Sequence, residues 1–272
     1  MESIVPAHQG IPARERLIVP LDVPTFDEAR ALVERLGDAV HFYKLGLELL
    51  LAGGGFTGQY AGMVDWLVKR GKKVLADVKI FDIERTTTAA VRQLNGQGVH
   101  SVTVHGTTEV LAGAVAAGGG VKILAVTVLT SFNQKDLEDL GYPGGIDVKQ
   151  VVRGRARRAV EMGCDGVIAS GEEVSDLRQA LGGGFLVVVP GIRDNREVPV
   201  AADEDQKRVA TVEQAFASGA DYIVVGRPIR KAADPAAAAR QIQERIAALF
   251  GAAAVLPPAA AGSGSSGPAP AS

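Results

Sequence analysis

The sequence predicts a single (β/α)8 barrel. Two observations carry that expectation: short β-branched runs ending in polar or Gly residues alternate with stretches of helical periodicity, and eight such pairs fit the chain. The strands fall at Leu17–Asp22, Val40–Leu45, Lys73–Lys79, Ser101–His105, Val121–Leu129, Gly166–Ala169, Phe185–Pro190 and Tyr222–Val225. Helices fill the gaps at Phe26–Leu36, Thr57–Arg70, Thr86–Gln97, Glu109–Ala117, Val148–Met162, Glu172–Leu181, Val212–Ser218 and Pro235–Phe250. Eight pairs in about 250 residues match the size and rhythm of a closed parallel barrel. An open doubly wound sheet is the runner-up, but the first strand ends Leu-Asp-Val-Pro with no G-x-G-x-x-G behind it.

Composition narrows the class. The 272 residues are 47% hydrophobic, enough for one sizeable core, and the formal net charge of −2 gives no basic surface for nucleic acid. The lone cysteine, Cys164, excludes an intramolecular disulfide, and no Cys/His cluster has metal-ligand spacing. Neither a signal-peptide core nor a run of 18 apolar residues occurs, which points to a cytoplasmic protein without membrane contact. Residues 1–15 read as a polar lead-in and 16–250 as the barrel. Residues 251–272, ending PPAAAGSGSSGPAPAS, read as a low-complexity tail expected to be disordered.

Active sites of such barrels lie where the strands end, so polar residues there are informative. They are Asp22, Lys44, Asp77, Lys79, Asp82, Thr130, Arg193 and Arg227. In VLADVKIFDIERT, Asp77 and Lys79 stand two apart, so an ideal strand sends both side chains into the mouth. Val74, Ala76 and Val78 would then face the helices. An opposed pair is tolerable there where a single charge is not, and a purely structural ion pair is the bland alternative. Lys44 and Asp82 added to the same mouth favour chemistry. A second signal is VVVPGIR followed by ADYIVVGRPI, where Gly226 permits close approach to a phosphate and Arg227 adds charge. Between them the polar stretch Asp194–Arg208 reads as a flap carrying Gln206, or else as a solvated loop.

Taken together, LDVPTFDEA, FYKLGLELL, ADVKIFDI, AVTVLTS, VVPGIR, EDQKRVAT and GADYIVVGRPI resemble, in order, the motifs of orotidine 5′-phosphate decarboxylases, over Leu17 to Phe250. The resemblance implies cofactor-free, metal-free conversion of orotidine 5′-phosphate to UMP, the last step of pyrimidine synthesis, by a homodimer. It implies Lys79 as the proton donor, Asp77 beside the substrate carboxylate, and Lys44 completing an alternating charge chain. Asp82, Ile83 and Thr86 would reach into the partner's site. Asp22 would bind ribose and Thr130 the pyrimidine, while Gln206, Gly226, Arg227 and Arg193 would hold the phosphate, with Pro190 also lining the substrate.

The alternatives are a Mg2+-dependent sugar-phosphate decarboxylase or aldolase of the same suprafamily, and a barrel that binds a phosphate ligand without catalysis. The first needs a carboxylate metal ligand where this chain has Lys44, and the second does not need both Asp77 and Lys79. Three departures from the family pattern stand out. Phe81-Asp82-Ile83-Glu84-Arg85-Thr86 replaces the usual H-D-I-P-N-T, which predicts a less rigid turn. Pro20 inside strand one predicts a local irregularity. The extra glycines of LLAGGGFTGQYAGMV leave the following helix start open.

Overall fold

Burial on both faces of nearly every strand explains why these runs form a barrel. In a computed structural model, which describes residues 10–52, 58–193 and 209–250, eight parallel strands pair in chain order and close. They are β1 (Leu17–Pro20), β2 (Phe42–Gly46), β3 (Lys73–Ile80), β4 (Ser101–His105), β5 (Lys122–Val126), β6 (Gly166–Ile168), β7 (Leu186–Val189) and β8 (Tyr222–Val224). Closure comes from β1, which pairs with β2 through Ile18↔Phe42 and with β8 through Ile18↔Val224.

Two apolar layers result. Leu17, Val19, Val74, Ala76, Ile123, Ala125, Val187 and Val189 point outward into the layer shared with the helices. Ile18, Phe42, Leu75, Leu124, Leu186, Val188, Tyr222 and Val224 fill the barrel itself. Strands buried on both faces therefore read as continuous apolar runs. Val78 packs against the outer layer, as its alternation with Val74 and Ala76 predicts.

The helices are α1 (Phe26–Leu36), α2 (Leu47–Leu51), α3 (Gln59–Val68), α4 (Glu84–Arg92), α5 (Thr108–Ala116), α6 (Gln134–Asp139), α7 (Val148–Glu161), α8 (Val174–Leu181), α9 (Val212–Ala217), α10 (Arg227–Arg230) and α11 (Pro235–Phe250). Three short ones, α2, α6 and α10, were not expected from periodicity, which needs more than a turn or two to register. The α6 start carries its own local signal, a reciprocal cap between Asn133 and Asp136. Helix α4 starts two residues earlier than expected and ends at Arg92, because the turn that follows needs the positive φ of Gly96 and Gly98. Strand β5 stops at Val126 rather than Leu129, and just beyond it the Thr127 carbonyl accepts from Arg155 Nη1 at 2.6 Å.

Pro20 stands where the β1–β8 ladder stops. Val225 N–H donates to the Ile18 carbonyl at 3.0 Å, the next donor toward β8 would be the N–H that proline lacks, and pairing ends at Ile18↔Val224, so the expected irregularity is confined to the strand's last position. Helix α3 begins at Gln59, and the glycine run 53–57 before it lies outside the described residues, as do the flap 194–208 with Gln206 and the tail 251–272. Among the described residues no helix is long and apolar enough to cross a membrane.

Candidate active site

The C-terminal ends of the strands surround a cavity of about 480 Å³. Its lining includes Asp22, Lys44, Asp77, Lys79, Thr130, Pro190, Arg193, Gly226 and Arg227, so nine of the expected residues converge on one space. Strand ends bring them there: β1 delivers Asp22, β2 Lys44, β3 Asp77 and Lys79, and the turns after β5, β7 and β8 the others.

One end of the cavity is a run of alternating charges. Lys44 Nζ lies 3.0 Å from Asp22 Oδ1 and 3.1 Å from Asp77 Oδ2, while Lys79 Nζ lies 2.9 Å from Asp77 Oδ1. Burial alone would push the Asp77 carboxyl up, but the charges and hydrogen bonds of Lys44 and Lys79 outweigh it and hold it below its ordinary value. Burial likewise works to lower Lys44, and Asp77 and Asp22 overcome it, so the ammonium is held above its ordinary value. Both groups thus remain charged near neutrality, which fixes the alternation of sign.

The route by which Asp77 and Lys79 meet differs from the ideal pleat. Register runs Ala76↔Val102 and then Ile80↔Val104, so three β3 residues oppose the single Thr103 of β4. Within this bulge Lys79 has φ +46°, in the left-handed region that costs a side-chain-bearing residue roughly 1–2 kcal/mol. Thr103 sits against the irregularity: its hydroxyl accepts from the Lys79 backbone N–H at 3.0 Å and donates to Asp77 Oδ1 at 2.9 Å. Sequence reasoning missed Thr103, although its place between Val102 and Val104 marks it as inward-facing.

Asp82, Ile83 and Thr86 do not line this cavity. The mouth's second acid within one chain is Asp22, whereas Asp82 accepts from the Ile83 N–H at 2.8 Å. Ile83 and the neighbouring Phe81 are 62% and 67% exposed, a large apolar display for so short a turn. The turn is nonetheless pinned without the usual Pro-Asn. Thr87 Oγ1 donates to the Asp82 carbonyl at 3.2 Å, and Thr88 Oγ1 lies within hydrogen-bond distance of the Glu84 and Gly113 carbonyls. Helix α5 approaches so closely at Gly113 that any Cβ there would collide with the Glu84 carbonyl.

The far end of the cavity is cationic. Arg193 and Arg227 line it, and Arg193 Nη2 is buried without a hydrogen-bond partner among the described residues. Gly226 is small for a reason, since a Cβ there would come within 3.0 Å of Pro20 Cγ. Ser131 and Arg230 also line the space and were not expected; Arg230 stands one turn beyond Arg227 on α10. Leu75, Val126, Val128, Ile168 and Val224 add apolar lining, of which Leu75 and Val224 belong to the layer inside the barrel. No group of three or more His, Cys, Asp or Glu that could hold a metal ion occurs among the described residues.

Residues 15–242 match the model of the orotidine 5′-phosphate decarboxylase / HUMPS family. The chain belongs to that family. Among curated relatives of this orotidine 5′-phosphate decarboxylase / HUMPS family member, the orotidine 5′-phosphate decarboxylase of Methylococcus capsulatus is 50% identical over 246 residues, covering 90% of this chain and 98% of that one. The Rhodopseudomonas palustris enzyme of the same name is 47% identical, covering 88% and 98%. A crystal structure of orotidine 5′-phosphate decarboxylase from Lactobacillus acidophilus superimposes with a TM-score of 0.71 at 31% identity, over 85% of this chain and 99% of that one.

Proposed function

We propose that this chain decarboxylates orotidine 5′-phosphate to UMP without a metal or organic cofactor, in the cytoplasm, and that residues 16–250 form the catalytic domain. The observation that carries this is the Asp22–Lys44–Asp77–Lys79 run at one end of a cavity whose other end holds arginines. A ligand with a reacting carboxylate at one end and a phosphate at the other fits that polarity. Arg193, Arg227 and the Gly226 backbone would hold the phosphate, together with Gln206 of the flap. Asp22 would take ribose hydroxyls, and Thr130 and Pro190 would flank the pyrimidine.

In the reaction the bond from C6 to the carboxylate breaks, CO2 leaves, and the electron pair stays on C6 in an in-plane orbital that the ring carbonyls do not delocalise. The Lys79 ammonium gives its proton to that carbon and recovers one from water. An ammonium about 4 Å from the developing carbanion contributes about 4 kcal/mol at an effective dielectric near 20, roughly a thousandfold in rate. The rest of the acceleration is assigned to preorganised charge around Asp77 and Lys44 and to binding energy drawn from the distant phosphate.

A homodimer belongs to the same proposal, with Asp82, Ile83 and Thr86 entering the partner's cavity. Supporting it, Leu47, Leu51, Phe81 and Ile83, which follow the neighbouring strands β2 and β3, are exposed large apolar side chains. Sedimentation of the pure protein as a monomer would remove the dimer from the proposal. A Mg2+-dependent chemistry is disfavoured by Lys44, whose ammonium already occupies the space between Asp22 and Asp77.

The deciding experiment follows the ultraviolet absorbance change as orotidine 5′-phosphate becomes UMP. The expected result is turnover that persists in excess chelator and is nearly abolished by Lys79→Ala, with the fold intact by circular dichroism. Retained turnover in Lys79→Ala, or its loss on chelation, would overturn the assignment.

A further inference from the structure

We infer that Thr103 is a positioning residue for the proton donor: its hydroxyl fixes where the Lys79 ammonium and the Asp77 carboxylate stand. The inference deepens the decarboxylase proposal and rests on it for the identity of the reaction.

The bulge creates the need. Where Asp77, Val78 and Lys79 oppose only Thr103, the regular ladder to β4 is interrupted, and a bulged strand leaves extra residues without a ladder partner on that side. The Lys79 N–H is on such a residue, and it ends on Thr103 Oγ1 at 3.0 Å. That N–H belongs to the residue with φ +46°, so the bond restrains the least comfortable point of the strand. The same hydroxyl donates to Asp77 Oδ1 at 2.9 Å, and Asp77 Oδ1 also receives the Lys79 ammonium at 2.9 Å.

A closed loop of contacts results, running from the Lys79 backbone through the hydroxyl and the carboxylate to the Lys79 amine. Only a group that donates and accepts through one atom closes it, and a hydroxyl is the neutral side chain that does so. Thr103 is buried, and its neighbours Val102 and Val104 are held in the outer apolar layer, so the strand fixes the direction of the hydroxyl. Its β-branch further limits rotation about χ1. Valine has nearly the same shape but can neither donate nor accept, whereas serine keeps both functions.

The test compares the full-length wild type with Thr103→Val and Thr103→Ser. Loss of a hydrogen bond to a charged group predicts that Thr103→Val lowers kcat about 10- to 100-fold while KM stays within about threefold, because the phosphate end is untouched. Thr103→Ser is expected to recover kcat to within about threefold of wild type. Amide hydrogen exchange at Lys79, read by NMR, should quicken in the valine variant and remain protected in the serine variant. Wild-type kcat in Thr103→Val, equal losses in both variants, or a loss confined to KM would overturn the role. If the valine chain does not fold, Thr103→Ala removes the hydroxyl without adding bulk, and the same split decides. A wild type without turnover would sink the decarboxylase proposal, while the Lys79 exchange rates would still decide what Thr103 does.

Discussion

Replacing Lys44 by methionine isolates the charge that the mouth relies on most. Its ammonium lies 3.0 Å from one carboxylate and 3.1 Å from another. At an effective dielectric near 20, each contact is worth about 5 kcal/mol before desolvation is subtracted. Desolvation cancels much of this, and removing one member of a buried ion pair typically costs about 3–5 kcal/mol net. Lys44→Met is therefore expected to lose about that much stability at neutral pH, or roughly 10 °C in Tm.

The pH dependence gives the sharper test. In the wild type, Asp77 is held below its ordinary value, so its stabilisation is present above the unfolded carboxylate range and is lost as pH falls through the lowered value. Lys44, held above its ordinary value, contributes below the unfolded lysine range and loses that contribution as pH rises through the raised value. In the methionine variant burial dominates at Asp77 and its pKa climbs, so protonation in mild acid relieves the strain. The stability gap between the two proteins should be widest near about pH 7 and narrow toward about pH 4.5. Urea unfolding at both values measures it. A gap that is absent, or constant across that range, would refute the electrostatic account of the mouth.

The opposite end of the barrel should behave as structure without chemistry. Asp221 is fully buried, accepting from Arg178 Nη2 at 2.6 Å and from the Val187 N–H at 2.8 Å. Asp221→Ala strands a buried guanidinium and is expected to cost about 3–5 kcal/mol in urea unfolding with kcat preserved; a large fall in kcat in the folded variant would contradict this. His100 lies edge-on to Phe42, with Tyr222 nearby, and burial, aided by Lys73 and Lys122, lowers its pKa to about 4. Its neutral form supports the fold above about pH 6.5, and on the order of 3 kcal/mol is lost as pH falls toward 4. His100→Gln should flatten that slope, and an unchanged acid limb would remove His100 as its source.

Much of this molecule was legible because burial on two faces leaves a strong sequence trace. Strands such as Ser101–His105 and helices such as Phe26–Leu36 fall where the apolar pattern puts them. Lys44, Asp77 and Lys79 were found because charge at the end of an apolar strand is costly unless it is used or paired. The bulge was not legible: alternation assumes one residue per step, and nothing in ADVKI marks the extra residues opposite Thr103. Thr103 was hidden for the same reason, since an inward threonine gains meaning only from the backbone it faces. Arg230 and Ser131 needed the turns after β8 and β5, whose paths are set by tertiary contacts such as Arg155 on Thr127 rather than by local pattern. The Asp82 turn shows the converse. Loss of Pro and Asn predicted a looser segment, yet Thr87, Thr88 and helix α5 supply the restraint from outside it.

That restraint makes Gly113 a pivot. The bare backbone of α5 serves as the seat on which the first turn of α4 rests, so a methyl group added there would tilt α4 and swing Ile83 as a unit. The aim of a residue at the rim is thereby governed from the outer helical shell, by a position with no contact to the cavity. Alterations that retune the rim can arise in that shell while the charges inside stay untouched.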